Sequence, residues 1–234
     1  MKKVILAFIM FFIMTSASLA DSNVYITQSG AALDLDITID GNANAVGASN
    51  DRTLLTGANL DVDIDLIGAT NTITGDFIGT GESGSDDLKI NQTGSTNTTA
   101  LNVGSSASTD DVSIIENRVG SSGVTSYIIG STATVQDVSV TVDVVGDDID
   151  IALTENSSSS GSDKTTDIDI GTDSDDVDII VTHTGAGAHK TKLLCTGACG
   201  TSDFTFSQTG ANSTDVDLVV TNAAGSDVDI TITD

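Results

Sequence analysis

Short runs of apolar side chains spaced by two, each ending on a glycine, recur along this chain at a fixed interval and limit what it can fold into. Gly68, Gly94, Gly120 and Gly146 follow one another at spacings of 26. Gly30 lies 38 before the first and Gly185 39 after the last, about one and a half periods each. Secondary closures such as Gly41, Gly57, Gly104 and Gly130 fall between, so the unit is two short strands and two turns. Leu60, Val62, Ile64 and Leu66 alternate with Asp61, Asp63 and Asp65, and Val138, Val140, Val142 and Val144 alternate with Ser139, Thr141 and Asp143. A period of two places alternate side chains on opposite faces of a strand. One face is therefore aliphatic and the other Asp or Thr. A two-strand unit cannot bury its apolar face alone, so units must stack on one another. The expected fold is all-β: a single-domain β-solenoid with a thin aliphatic interior.

Lys2 and Lys3 precede eleven apolar residues, Val4 to Met14, and a small-residue stretch ending Ser18-Leu19-Ala20. That layout predicts a cleavable secretory signal over residues 1–20 and a repetitive domain over 21–234, with no significant helix beyond the leader. The apolar run is shorter than the roughly 20 residues a bilayer crossing needs, so stable membrane insertion is not expected. Removing 20 of 234 residues leaves 214, and at 26 per unit this predicts about eight stacked strand-turn-strand repeats. Residues 157–162, Ser- and Gly-rich, are expected to form a longer loop because the strand pattern resumes at Asp167.

The formal charge is −26, and loss of the two leading lysines takes it to −28. Nearly all the acid is Asp; only Glu82, Glu116 and Glu155 are glutamates. Asp is a poor helix former that favours turns and caps. Proline and tryptophan are absent, and beyond the leader the aromatics are Tyr25, Phe77, Tyr127, Phe204 and Phe206. High charge with few aromatics also suits a disordered chain, but the regular supply of Val, Ile and Leu argues for order. So acidic a surface excludes nucleic-acid binding, which demands Lys and Arg against phosphate.

Three segments carry a more specific pattern: Ser22 to Gly30 (SNVYITQSG), Asp86 to Gly94 (DDLKINQTG) and Ser202 to Gly210 (SDFTFSQTG). Each places Gln two residues before Gly, as Gln28 and Gly30, Gln92 and Gly94, and Gln208 and Gly210. Two begin with Ser (Ser22, Ser202), and Asn97 follows Gln92 by five. These segments resemble the curlin repeat of bacterial curli. In such a stack each Gln meets a Gln or a polar equivalent on the next rung, and the amides form ladders in a dry interior. Most units depart from the pattern, with Leu66, Val144, His183 or Cys195 at the Gln position. The resemblance implies a secreted subunit that self-associates into amyloid-like fibres for adhesion and biofilm matrix, at the surface or in the extracellular matrix of a bacterium. It implies as further partners a second repeat protein that nucleates assembly and an outer-membrane secretion channel.

Asp61-Val62-Asp63-Ile64-Asp65 has the carboxylate spacing that opens an EF-hand loop, but the apolar residues between make it a strand, and no Glu follows at the twelfth position. Stacked strands instead bring outward Asp side chains about 4.8 Å apart, a spacing that favours diffuse binding of calcium or sodium over any discrete cofactor. Cys195 and Cys199 are the only cysteines and are expected to form a disulfide across one turn. With His183 and His189 they make a poor zinc set, and His183 is expected to pack in the interior. No nucleophile elbow, phosphate loop or triad context marks the chain as an enzyme. The expectation is thus a fibre subunit. The alternative is a monomeric acidic solenoid that binds a carbohydrate, mineral or ice surface through its Asp/Thr face.

Overall fold

The computed structural model describes residues 22–29, 33–47, 53–57, 59–79, 86–104, 111–130, 137–156, 163–171, 174, 176–196, 199–210, 213–221 and 225–233. The leader, Gly30 and the 157–162 segment lie outside the described residues. No helix occurs among those described, and every strand pairing is parallel.

The chain alternates between two sheets. One contains β3 (Asp34–Asp40), β6 (Asp61–Ile67), β8 (Asp86–Thr93), β10 (Val112–Val119), β12 (Val138–Val145), β14 (Lys164–Ile170), β16 (Ala188–Cys195) and β18 (Ser213–Val220), stacked in that order. The other runs through β1 (Ser22–Val24), β4 (Ala43–Val46), β7 (Thr70–Gly79), β9 (Thr96–Val103), β11 (Ser122–Ile129), β13 (Ile149–Asn156), β15 (Val177–Thr184), β17 (Ser202–Thr209) and β19 (Asp227–Thr233). Alongside its first rungs β2 (Thr27–Ser29) pairs with β5 (Thr53–Gly57), which pairs with β7. This is a β-solenoid.

The 26-residue interval is the register of the stack. Ile64 lies beside Ile90, Ile90 beside Glu116, Glu116 beside Val142 and Val142 beside Ile168. A shift by one residue would turn every inward side chain outward, so the aliphatic face fixes the register. The glycines serve it sterically. A Cβ on Gly94 would sit 2.0 Å from the Gly68 carbonyl oxygen, and one on Gly120 would sit 2.1 Å from that of Gly94. The corner where the chain passes between sheets stacks backbone on backbone and leaves no room for a side chain. At the opposite turns the left-handed conformation falls on Asn59, Asp111 and Asp137 (φ 45 to 54°), residue types that tolerate it.

The expected count of about eight equal units is corrected. From β6 to β17 there are six complete turns, in which each strand has a neighbour on both sides and an inner face that is buried. Beyond them the ends differ. β3 and β18 have one neighbour each, β18 is only half-buried on its inner face, and β19 is exposed along its whole length. Dividing length by period treats the end units as equivalent to the middle ones. A parallel stack cannot bury its last rung without something laid on it.

Candidate assembly edges and interior polar clusters

The three curlin-like segments do not stack their glutamines into one column. Gln28 is paired in register with Leu55 in one sheet, Gln92 lies between Leu66 and Arg118 in the other, and Gln208 lies between His183 and Ile232. Gln208 meets a polar neighbour on the next rung, its amide Nε2 lying 3.4 Å from His183 Nδ1, while Gln92, beside Arg118 in register, accepts from Thr99 Oγ1 at 3.2 Å. The Ser position is half-buried at Ser22 and buried at Ser202. In the middle segment Asp86 takes it, accepting the Leu60 backbone N–H at 2.8 Å, with burial raising its pKa. Gly94 belongs to the corner column, and Gly210 takes a left-handed φ of 76°.

The amide ladder is made by asparagines. Asn44 Nδ2 donates to Asn71 Oδ1 at 3.0 Å, and Asn71 Nδ2 donates to Asn97 Oδ1 at 2.9 Å. The same amides donate to the carbonyls of Ile67, Thr93 and Val119 at the glycine corner. Of the residues expected to form a ladder, Asn97 is thus the one found in it. Asn44, Asn71 and Asn97 follow at intervals of 27 and 26, a signal the sequence carried unread. The column stops at Gly123, which lies beside Asn97 in register and over which the Arg118 side chain folds.

Two buried polar clusters also escaped sequence reasoning. In the first, Glu116 sits at an inward position between Ile90 and Val142. Its carboxylate accepts from Tyr127 Oη at 2.8 Å and Thr125 Oγ1 at 3.0 Å, and Thr99 Oγ1 lies 3.0 Å away. Arg118 Nη1 donates to Thr125 Oγ1 at 2.8 Å and stands 3.9 Å from Glu116. Burial lowers the Arg118 pKa against the opposing pull of Glu116, and burial with the adjacent carboxylate raises that of Tyr127.

The second cluster joins Glu155, Lys164, Thr166, His183, His189, Thr191 and Gln208, all buried. Thr166 Oγ1 donates to Glu155 Oε1 at 3.0 Å, His183 Nε2 lies 3.2 Å from Glu155 Oε2, and Lys164 Nζ lies 3.3 Å from His189 Nε2. The two imidazoles meet edge to face at 5.4 Å. Burial pushes Glu155 up to about 8 and, with help from His189 and Lys164, His183 down to about 3. Near neutral pH the pair is uncharged, which lets both groups occupy a dry interior. The expected interior packing of His183 is what the structure has. Two of the chain's three glutamates point inward, against the rule that charge stays outside.

Outside, aspartates stack in columns: Asp150, Asp178, Asp203 and Asp227 lie side by side on successive rungs. Desolvation, and after it neighbouring carboxylates, raises the pKa of Asp61, Asp143 and Asp150. Asn102 and Lys192 relieve such contacts by bonding to Asp76 and Asp167. Among the described residues no three metal-ligating side chains converge on one point. Cys195 and Cys199 form a disulfide with Cα atoms 6.4 Å apart, both buried.

The ends of the stack present a different surface. Val228, Ile230 and Ile232 continue the inward columns of Phe204, Phe206 and Gln208, yet are 41, 48 and 50% exposed. Among the described residues, no strand pairs with the outer edges of β18 and β19, or with those of β1 and β3. Searches against protein-family models, curated proteins and solved structures find no match for this chain.

Proposed function

We propose that this protein is an exported structural subunit that builds extracellular fibres by adding its stacked rungs end to end, in the manner of curlin-repeat proteins. The observation that carries this reading is the pair of open edges. Each end offers unpaired backbone donors and acceptors in parallel-sheet geometry, beside aliphatic side chains already aligned in columns. A long flat edge of this kind templates another strand. A second subunit would satisfy both the hydrogen bonds and the exposed Val228, Ile230 and Ile232. The curlin-like segments and the signal-like leader support export to a bacterial surface or matrix. A secretion channel and a nucleating repeat protein are the partners such a route calls for.

Charge supplies the control. At −26 for the whole chain, like subunits repel at low ionic strength, and screening shortens the range of that repulsion to about 10 Å at 0.1 M salt. Cations gathered along the aspartate columns would act as counterions for assembly rather than as a catalytic cofactor. The test is incubation of the purified secreted protein at 0.15 M salt with and without calcium, followed by sedimentation, thioflavin fluorescence and electron microscopy. Fibres that form faster with salt or calcium support the reading. Protein that stays monomeric and thioflavin-negative in every condition overturns it.

A further inference from the structure

The two ends of the stack are offset by half a turn, which fixes how one copy fits another. We propose that subunits join end to end with a half-turn rotation about the solenoid axis, so that β3 of one copy pairs with β19 of the next, and β1 with β2 pairs with β18. This rests on the fibre reading above and adds the geometry of its joint.

Among the described residues one sheet has nine strand positions along its path and the other eight. The first and last described strands therefore lie in the same sheet, and each end of the described stack is a step: β19 stands half a rung beyond β18, and β1 stands half a rung beyond β3. Two such steps close without a gap only when the projecting strand of one meets the recessed strand of the other. That places β1 and β2 on β18 and β3 on β19. Joining like sheet to like sheet would set β19 against β1 and leave an unfilled rung between β18 and β3, with both backbone edges unpaired.

The side chains agree with this fit. β3 reads Asp-Leu-Asp-Ile-Thr-Ile-Asp and β19 reads Asp-Val-Asp-Ile-Thr-Ile-Thr. Within the chain β3 already pairs in register with β6, whose first four residues, Asp-Val-Asp-Ile, are those of β19. The free edge of β3 thus meets in β19 the pattern its other edge already holds. Leu35, Ile37 and Ile39 come to lie over Val228, Ile230 and Ile232. On the recessed side Val24 and Ile26, which pack against the core, fall over Val216 and Leu218. Asp36 lies beside Asp229, as it lies beside Asp63 inside the chain.

The joint is read by disulfide trapping in the purified secreted protein. Register neighbours on adjacent strands are about 4.8 Å apart, inside the Cα range of about 4.4–6.8 Å that a disulfide spans. Asp36 and Asp229 sit at opposite ends of one chain, so a link between them must join two copies. Fibres of D36C/D229C, oxidised after assembly, are expected to give a ladder of covalent multimers on non-reducing gels, as are those of Y25C/D217C. Y25C/D229C, which reports the like-to-like joint, is expected to give none. Wild-type and variant fibres that form while only Y25C/D229C cross-links, or while none does, overturn the half-turn joint and leave the fibre reading standing. Wild-type protein that forms no fibres overturns both.

Discussion

Replacing Glu116 by valine isolates the energetics of the interior. Its register neighbours are Ile90 and Val142, so the valine matches its column and the volume change is tolerable. The damage falls on Arg118, which is 2% exposed and, among the described residues, has no other acidic group bonded to it. Removing one partner of a buried pair costs about 3–5 kcal/mol, because the remaining charge is left in a low-dielectric site. In a chain of this length about 2–4 °C is lost per kcal/mol, so the unfolding midpoint of E116V should fall by roughly 6–20 °C. Adding Arg118→Met removes the stranded charge at similar volume. E116V/R118M should therefore be more stable than E116V by about 2 kcal/mol, although Tyr127 still lacks its acceptor. Tyr127 is buried against Glu116 and supplies the intrinsic probe, with exposed Tyr25 as the second tyrosine. Tyrosine fluorescence on thermal and urea unfolding, at low salt where subunits stay apart, measures all three. A single variant that loses less than about 1 kcal/mol, or a double variant less stable than the single, would refute the buried-pair account.

Gly120→Ala should destabilise the chain more than Gly210→Ala, because its Cβ meets a carbonyl oxygen at 2.1 Å, whereas Gly210 has its nearest neighbour at 3.6 Å and only a strained φ; urea midpoints rank the two. Stability should be bell-shaped in pH. Glu155, near 8 in the fold and 4.5 when unfolded, contributes fully below pH 4.5 and loses that contribution as pH rises to 8. His183, near 3 in the fold and 6.5 when unfolded, contributes fully above pH 6.5 and loses it as pH falls toward 3. Each limb has a slope of about 1.4 kcal/mol per pH unit, and E155Q should flatten the alkaline limb alone in midpoint-versus-pH measurements. Reducing the Cys195–Cys199 disulfide, which closes a very short loop, should cost about 2 kcal/mol, measured by the midpoint shift with reductant.

The strand grammar was legible because the forces that set it are local and periodic. Leu60 to Leu66 and Val138 to Val144 announce their inner faces by alternation, and the glycine interval announces the register. The buried polar groups were not legible. Glu116 and Glu155 keep the strand parity, but nothing local tells an inward glutamate from a register error. Its partners, Thr125 and Tyr127 for one and Thr166 and His183 for the other, come from strands that only the stack brings near. The glutamine ladder failed for a related reason. Gln28, Gln92 and Gln208 share a local motif, but the first and last lie in one sheet many rungs apart and the second lies in the other. A motif fixes which way a side chain points, and its distance along the chain fixes whom it meets.

The end-to-end stack is tested most directly by helical reconstruction of the fibres from electron cryomicroscopy. Among the described residues the six complete turns and the five strand positions at the two ends, nine in one sheet and eight in the other altogether, make eight and a half rungs, which at about 4.8 Å each give a rise of about 41 Å per subunit. The account predicts that rise, strands perpendicular to the fibre axis, and a half-turn between successive subunits superposed on the continuous twist of the rungs. Fibres whose strands are not stacked along the axis in solenoid register, or subunits arranged side by side, would contradict it.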